Sequence, residues 1–455
     1  MTTFVLRART MYLPGGPRAA SLWVKDGVIE RVSTLDEPTD GRPEIDAGSH
    51  FVMPGLVDTH VHINDPGRST WEGFATATRA AAAGGVTTLV DMPLNSVPAT
   101  IDGHGVEAKL RALEGNAYVD VGFCGGLVPA NASSLDALVK EGVLAVKCFL
   151  CESGVAEFPN VAEAQLVEGM RRLSGVPLFV HAELPDPLER AEAALGPLQP
   201  GGEKQYSRWL ASRPMEAEEE AVELVLGVAE RTGARAHIVH LSASSALPLL
   251  RRARDRNVLL SAETCPHYLT FASEEIPEGA TAYKCAPPIR EAFNRDLLWD
   301  AVREGLLTQV VTDHSPSTLD LKCNDSGDFV RAWGGISSLE LGFTVLAGQA
   351  RARGLALETL LARMTEAPAE LVGLTQRKGR LAAGADADFF FWDDTAKRTV
   401  HAVDLQHRNP ITPYEGRELG GQVVRTFLRG REVFRLENGK PVFAQTSGQW
   451  LRGAG

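Results

Sequence analysis

The chain is short of cysteine, of long apolar runs and of positive charge, and each shortage excludes a class of protein. Its six cysteines (Cys124, Cys148, Cys151, Cys265, Cys285 and Cys323) are few for 455 residues and show no framework spacing. That usage suits a reducing cytoplasm better than a disulfide-stapled secreted domain. Cys148 and Cys151 form a CxxC, but no second pair completes a zinc site. On a strand the two sulfurs would face opposite sides, so both read as buried apolar thiols. No apolar run approaches the roughly 20 residues that cross a bilayer. Arg7, Arg9 and a Pro-Gly turn break the first apolar stretch before it resembles a signal peptide. With a formal net charge of -12, the surface offers no general attraction to nucleic acid or to an anionic membrane. A small-molecule substrate is the partner left standing.

What is present is an ordinary globular composition, 44% hydrophobic and 23% charged, in a chain long enough for one large and one smaller domain. Both ends read as short strands joined by tight turns. Residues 4–9, 19–25 and 28–32 lie around an Asp26-Gly27 hairpin signal, and residues 387–392, 423–428 and 432–434 around Arg429-Gly430, with Asn438-Gly439 marking another turn. Neither end can bury both faces of a sheet alone. The prediction is a composite β-sandwich domain of residues 1–52 and 372–455.

Between them, residues 53–371 alternate short apolar runs with amphipathic or Ala-rich stretches. The runs are 56–62, 86–92, 118–122, 143–149, 176–181, 236–241, 258–263 and 307–313. The helical stretches are 71–83, 103–113, 133–141, 161–173, 216–230, 244–256, 290–304 and 339–353. Such β-then-α units predict a (β/α)8 TIM-like barrel, whose strands are buried on both faces and therefore almost continuously apolar. No internal sequence repeat supports the count, and a doubly wound open sheet is the alternative.

A barrel carries its chemistry at the C-terminal ends of its strands. His60 and His62 close the first run, Lys147 lies near the end of the fourth, and His181 (PLFVHAE), His240 (AHIVHLS) and Asp313 (QVVTDHS) close the fifth, sixth and eighth. A lone HxH pair could simply sit in a polar patch. Polar residues arriving at the same face from five strands point instead to a site. Six side chains exceed the four ligands of one tetrahedral zinc and suit two ions sharing a bridge. Lys147 fits if it is neutral, because desolvation and nearby cations both disfavour the ammonium. A neutral amine can take up carbon dioxide as a carbamate whose two oxygens bridge metals; the alternative is a lysine reaching solvent or a carboxylate. Two metals lower the pKa of a shared water, and Asp313 can take its proton and hand it to a leaving nitrogen. Hydrolysis of an amide-like carbonyl follows.

These motifs resemble the cyclic amidohydrolases of the amidohydrolase superfamily, a group that includes dihydroorotases, hydantoinases and allantoinases. The resemblance implies a binuclear centre on His60, His62, carboxylated Lys147, His181, His240 and Asp313, with zinc as the expected metal and cobalt, manganese or nickel as alternatives. His237, three residues before His240, is left to packing, and His314 to a supporting or structural role. Within the group, HVHINDPGR, VKCF, ETCPHYL, KCAPPIR, TDHSP and RAWGGISSLE are most similar to the allantoinases. Dihydroorotases usually place a carboxylate-binding arginine where Asn64 stands, and hydantoinases a tyrosine where Glu152 stands. The implied reaction is opening of the hydantoin ring of allantoin to allantoate. A hydantoinase, dihydropyrimidinase or dihydroorotase activity is the nearest alternative, and a non-catalytic scaffold the alternative of another class. By the same resemblance Asn64, Arg68, Asn95, Ala286, Trp333, Gly334 and Gly335 fall near the substrate, His267 lines the pocket or supports the ligands, and a homotetramer is expected.

Overall fold

The computed structural model describes residues 3–453. Eight parallel strands, Leu56–Val61, Val86–Asp91, Asp120–Gly126, Ala145–Phe149, Leu178–His181, Ala236–Ile238, Leu260–Thr264 and Gln309–Val310, pair in chain order. The last returns to the first through a parallel bridge between His314 and Val61, with the His62 N–H donating to the His314 carbonyl at 2.8 Å. The predicted barrel is therefore the observed one, not a doubly wound sheet. The first two strands are buried along their whole length, as expected of strands covered on both faces.

Helices alternate with the strands for local reasons. Gly103–Leu113 starts at Asp102, whose carboxylate accepts from the Gly105 N–H at 2.9 Å. Met215–Thr232 ends on Gly233 in the left-handed region. Pro185–Leu195 and Tyr206–Ser212, which periodicity missed, lie between the fifth strand and Met215–Thr232. Both are short and are separated by the turn residues of LGPLQPGG, so neither shows a sustained helical period.

The sixth and eighth strands are shorter than predicted, three and two residues. Beyond them the backbone turns left-handed at His240 (φ 39) and Asp313 (φ 44). Buried carboxylates replace the lost ladder partners: the His240 N–H donates to Glu263 at 3.2 Å and the Thr312 N–H to Asp58 at 3.1 Å. The strand ends thus peel inward and aim their side chains into the barrel mouth.

Both chain ends join in one second sheet, mostly antiparallel, in which Phe51–Pro54 pairs with Phe389–Thr399 on one side and Phe4–Leu13 on the other. The sheet curls back on itself, the Ile29 N–H reaching the Ala385 carbonyl at 2.9 Å, and encloses Leu6, Leu22, Val52, Phe389, Phe391 and Phe427. Lys378 ties this sheet to the barrel, its Nζ 2.7 Å from both Asp120 on the third strand and Asp388. Trp450–Leu451 leaves the sheet and pairs in parallel with Val121 and Gly122 of that strand. Among the described residues no helix is long and apolar enough to cross a membrane.

Candidate metal centre

His60 is the second-last residue of the first strand, and its Nδ1 lies 2.5 Å from Glu263 Oε1. That contact places the proton on Nδ1 and turns Nε2 into the mouth, 3.3 Å from Asp313 Oδ1. His62 Nε2 stands 3.5 Å from the same oxygen. The His240 ring lies 5.3 Å from that of His60, and its Nε2 is 3.1 Å from His181 Nδ1. His181 is oriented from behind: its Nε2 is 2.8 Å from Glu183, which also accepts two bonds from Arg213 at 3.0 and 2.5 Å. Lys147, on the fourth strand, is 1% exposed and opens into the same cavity as His62, His181, His240 and Asp313. Its Nζ lies 5.0 Å from the centre of the Phe149 ring.

The electrostatics favour cation ligands in their binding forms. Burial lowers the pKa of His62 to about 4 and pushes His181 and His240 down as well, so the imidazoles are neutral. Burial also lowers Lys147, to about 8, which makes the free amine accessible. Burial alone would raise Asp313, but its neighbour His60 and the hydrogen bond from His62 outweigh it and hold the carboxyl below its ordinary value.

His60, His240 and Asp313 each offer a ligand atom within 4.8 Å of the others, and His60 Nε2 is buried without a hydrogen-bond partner. Lone pairs that converge without satisfying one another are what a cation site leaves when described by its protein atoms alone. The donor set fits a divalent metal. Two other close groups do not. Glu183 in the Cys151, His181 and Glu183 group is taken by Arg213, and Asp120, Asp386 and Asp388 already surround Lys378.

The cavity of about 260 Å³ is lined by five of the residues expected near a substrate, Asn95, Ala286, Trp333, Gly334 and Gly335. Asn64 and Arg68 do not line it. Asn64 is buried, its amide donating to the Pro316 carbonyl at 3.3 Å, while Arg68 is spent on the Asn95 carbonyl at 2.8 Å and on Glu157 at 2.5 Å. His267 does not line it either: it is fully buried, and both of its ring nitrogens lack partners. A nitrogen of His267 does lie near Cys265 and Asp313. His314 is structural, its Nε2 3.0 Å from Glu72 and its Nδ1 accepting from the Ser338 N–H. His237 is not merely packed; it bonds Ser261, Glu263 and Gln309 at 2.7, 3.0 and 2.9 Å. The buried thiols Cys148 and Cys151 match the reading of the CxxC, and burial raises both to about 12.

Sequence reasoning did not single out Glu263, Glu183, Asp58, Arg213 or Lys284. Glu263 and Asp58 carried a faint signal as acidic residues within barrel strands. The partners of all five are set by tertiary contacts.

A parallel eight-stranded barrel with histidine, lysine and aspartate side chains gathered at its C-terminal mouth defines a metal-dependent hydrolase of the amidohydrolase type. The chain belongs to the amidohydrolase family, whose profile matches residues 51–433. It is 48% identical to an allantoinase of Streptomyces avermitilis over 433 residues, 94% of this chain and 95% of that one. It is 42% identical to the allantoinase of Arabidopsis thaliana, covering 94% and 87% of the two chains. Among solved structures, the L-hydantoinase (dihydropyrimidinase) of Arthrobacter aurescens superposes with a TM-score of 0.91 at 28% identity, covering 99% of this chain and 100% of that one.

Proposed function

We propose that this chain hydrolyses the ring amide of allantoin to give allantoate, as a cytoplasmic homotetramer with a binuclear centre. The observation that carries the chemistry is the burial of Lys147 in one cavity with His62, His181, His240 and Asp313. Identity of 48% over nearly the full length of an allantoinase supports the substrate. His60, His62, His181, His240 and Asp313, with Lys147 as its carbamate, would hold two divalent ions, zinc above others. When bound, the ions polarise the ring carbonyl and acidify a water.

The residues of the chain do the rest. Glu263 and Glu183 orient His60 and His181 from behind. Asp313, ionised beside His60 and His62, accepts a proton from the attacking water as the new carbon–oxygen bond forms. It returns that proton to the ring nitrogen as the carbon–nitrogen bond breaks, so the nitrogen leaves as a neutral amide. Asn95, Ala286, Trp333, Gly334 and Gly335 bound the space in which the ring lies.

The test is turnover of allantoin, dihydroorotate and hydantoin by protein purified with divalent metal and bicarbonate. Allantoin should be the preferred substrate by kcat/KM. Hydrolysis of a competitor with no turnover of allantoin would discard the substrate and keep the mechanism.

A further inference from the structure

The cavity wall made by Ala332, Trp333, Gly334 and Gly335 belongs to no helix or regular strand, so its main chain must be held by something else. Two lysines do this. Lys284 Nζ donates to the Ala332 carbonyl at 2.6 Å and to the Val330 carbonyl at 3.2 Å. Lys322 Nζ donates to the Lys284 carbonyl at 3.2 Å and to the Gly335 carbonyl. The Gly335 N–H closes the stitch by donating back to the Lys284 carbonyl at 2.8 Å. Lys322 thus ties the 284–286 segment to the 332–335 segment, and residues of both line the cavity.

Neither lysine has an ion-pair partner among the described residues, although Lys284 is 4% and Lys322 2% exposed. Burying an ammonium without a counter-charge is unfavourable, and an apolar side chain would fill the same space at lower cost. What an apolar chain cannot supply is donors. Burial lowers Lys284 to about 8 and Lys322 to about 7, yet an amine keeps two N–H donors. Each lysine grips two carbonyls, so the hold survives either protonation state.

Among the described residues the wall has three main-chain groups left over, the Trp333 carbonyl and the N–H and carbonyl of Gly334. The Trp333 N–H is taken by the Leu321 carbonyl at 2.7 Å, and the Ala332 and Gly335 carbonyls by the lysines. Among the described residues the Gly334 N–H and carbonyl have no partner, while Gly334 lines the cavity. Only glycine fits at Gly335: its φ is 135, and a Cβ there would stand 2.1 Å from the Ser315 carbonyl. At Gly334 a Cβ would make only ordinary van der Waals contacts, the nearest atom lying at 3.8 Å.

We propose that Lys284 and Lys322 are positioning residues for substrate binding, holding the Gly334 peptide where it hydrogen-bonds a cyclic amide or ureide. The inference rests on the reading of this cavity as the substrate site. Lys322 acts on binding through the wall alone, Lys284 also lines the cavity itself, and neither has a hydrogen bond or ion pair to a metal-centre residue.

The experiment uses metal-loaded full-length protein and the variants Lys322→Met, Lys284→Met and Lys284→Arg, with kcat, KM, metal content and Tm measured for each. Both methionine variants should raise KM about ten-fold with a smaller fall in kcat and unchanged metal content, the pattern of lost uniform binding. Lys284→Arg, which keeps donors, should recover most of the KM. A folded, metal-loaded methionine variant whose KM matches the parent overturns the proposal. If Lys322→Met does not fold, the contrast between Lys284→Met and Lys284→Arg decides, and equal KM values for those two overturn it. The parent separates the two readings: if it opens hydantoin but not allantoin, the substrate is wrong and the KM contrast is read on hydantoin. A parent that opens neither ring overturns both.

Discussion

Glu263 and His60 meet through a 2.5 Å contact between Oε1 and Nδ1, both side chains fully buried. The contact decides which nitrogen of His60 faces Asp313. The other oxygen of Glu263 takes His237 at 3.0 Å, so the carboxylate cannot rotate away. Replacing it by Glu263→Gln keeps the shape and removes the charge that favours this tautomer. Metal affinity should drop about 10–100-fold, the usual cost of losing a partner behind a ligand. Metal titration with unchanged circular dichroism checks it; parent-like affinity would show that His60 is oriented by something else.

Lys147→Ala removes the buried amine that shares the cavity with His62, His181, His240 and Asp313. The variant should lose bound metal and activity together, and short carboxylic acids should restore part of both by standing in for the carbamate oxygens. Metal analysis and allantoin turnover with and without acetate read the outcome. Full activity in the unrescued variant would falsify the bridging carbamate.

Lys378 bridges three carboxylates at the junction of barrel and end sheet, lying 2.7 Å from Asp120, 2.9 Å from Asp386 and 2.7 Å from Asp388. Lys378→Met leaves buried acids facing one another, with Arg429 still bonded to Asp120 and Arg377 to Asp386 but no cation beside Asp388. Removing one partner of a buried charge network costs about 3–5 kcal/mol. A lowered denaturation midpoint, with activity retained at low temperature, is the expected result; an unchanged midpoint would mean that the acids are protonated or hydrated in the native state.

Stability should also respond to alkali through Lys322. Its pKa falls from the ordinary 10.5 to about 7 on folding, because burial disfavours the ammonium. Between those two values the unfolded chain holds more protons than the native one, so this group makes stability rise with pH across that window. Urea denaturation of the parent and of Lys322→Met should therefore diverge in favour of the parent as pH rises from about 7 toward 10. Parallel curves would place Lys322 in contact with water.

The sequence alone determined the barrel and the polar residues that end its strands, because both are written in local alternation. A buried strand must be apolar, and a histidine, lysine or aspartate that ends one is conspicuous; His181, Lys147 and Asp313 were legible for that reason. The second sheet was legible as two incomplete halves. Tertiary structure decided everything that depends on what faces what. His60 is oriented by a glutamate 203 positions away, and the left-handed turns at His240 and Asp313 are supported by carboxylates on other strands. Arg68 sits only a few residues beyond the HxH pair, yet its guanidinium is drawn off to Glu157, 89 positions along the chain. Lys284 and Lys322 look in sequence like two ordinary surface lysines. Only packing turns them inward, because the carbonyls they satisfy belong to a loop without secondary structure of its own.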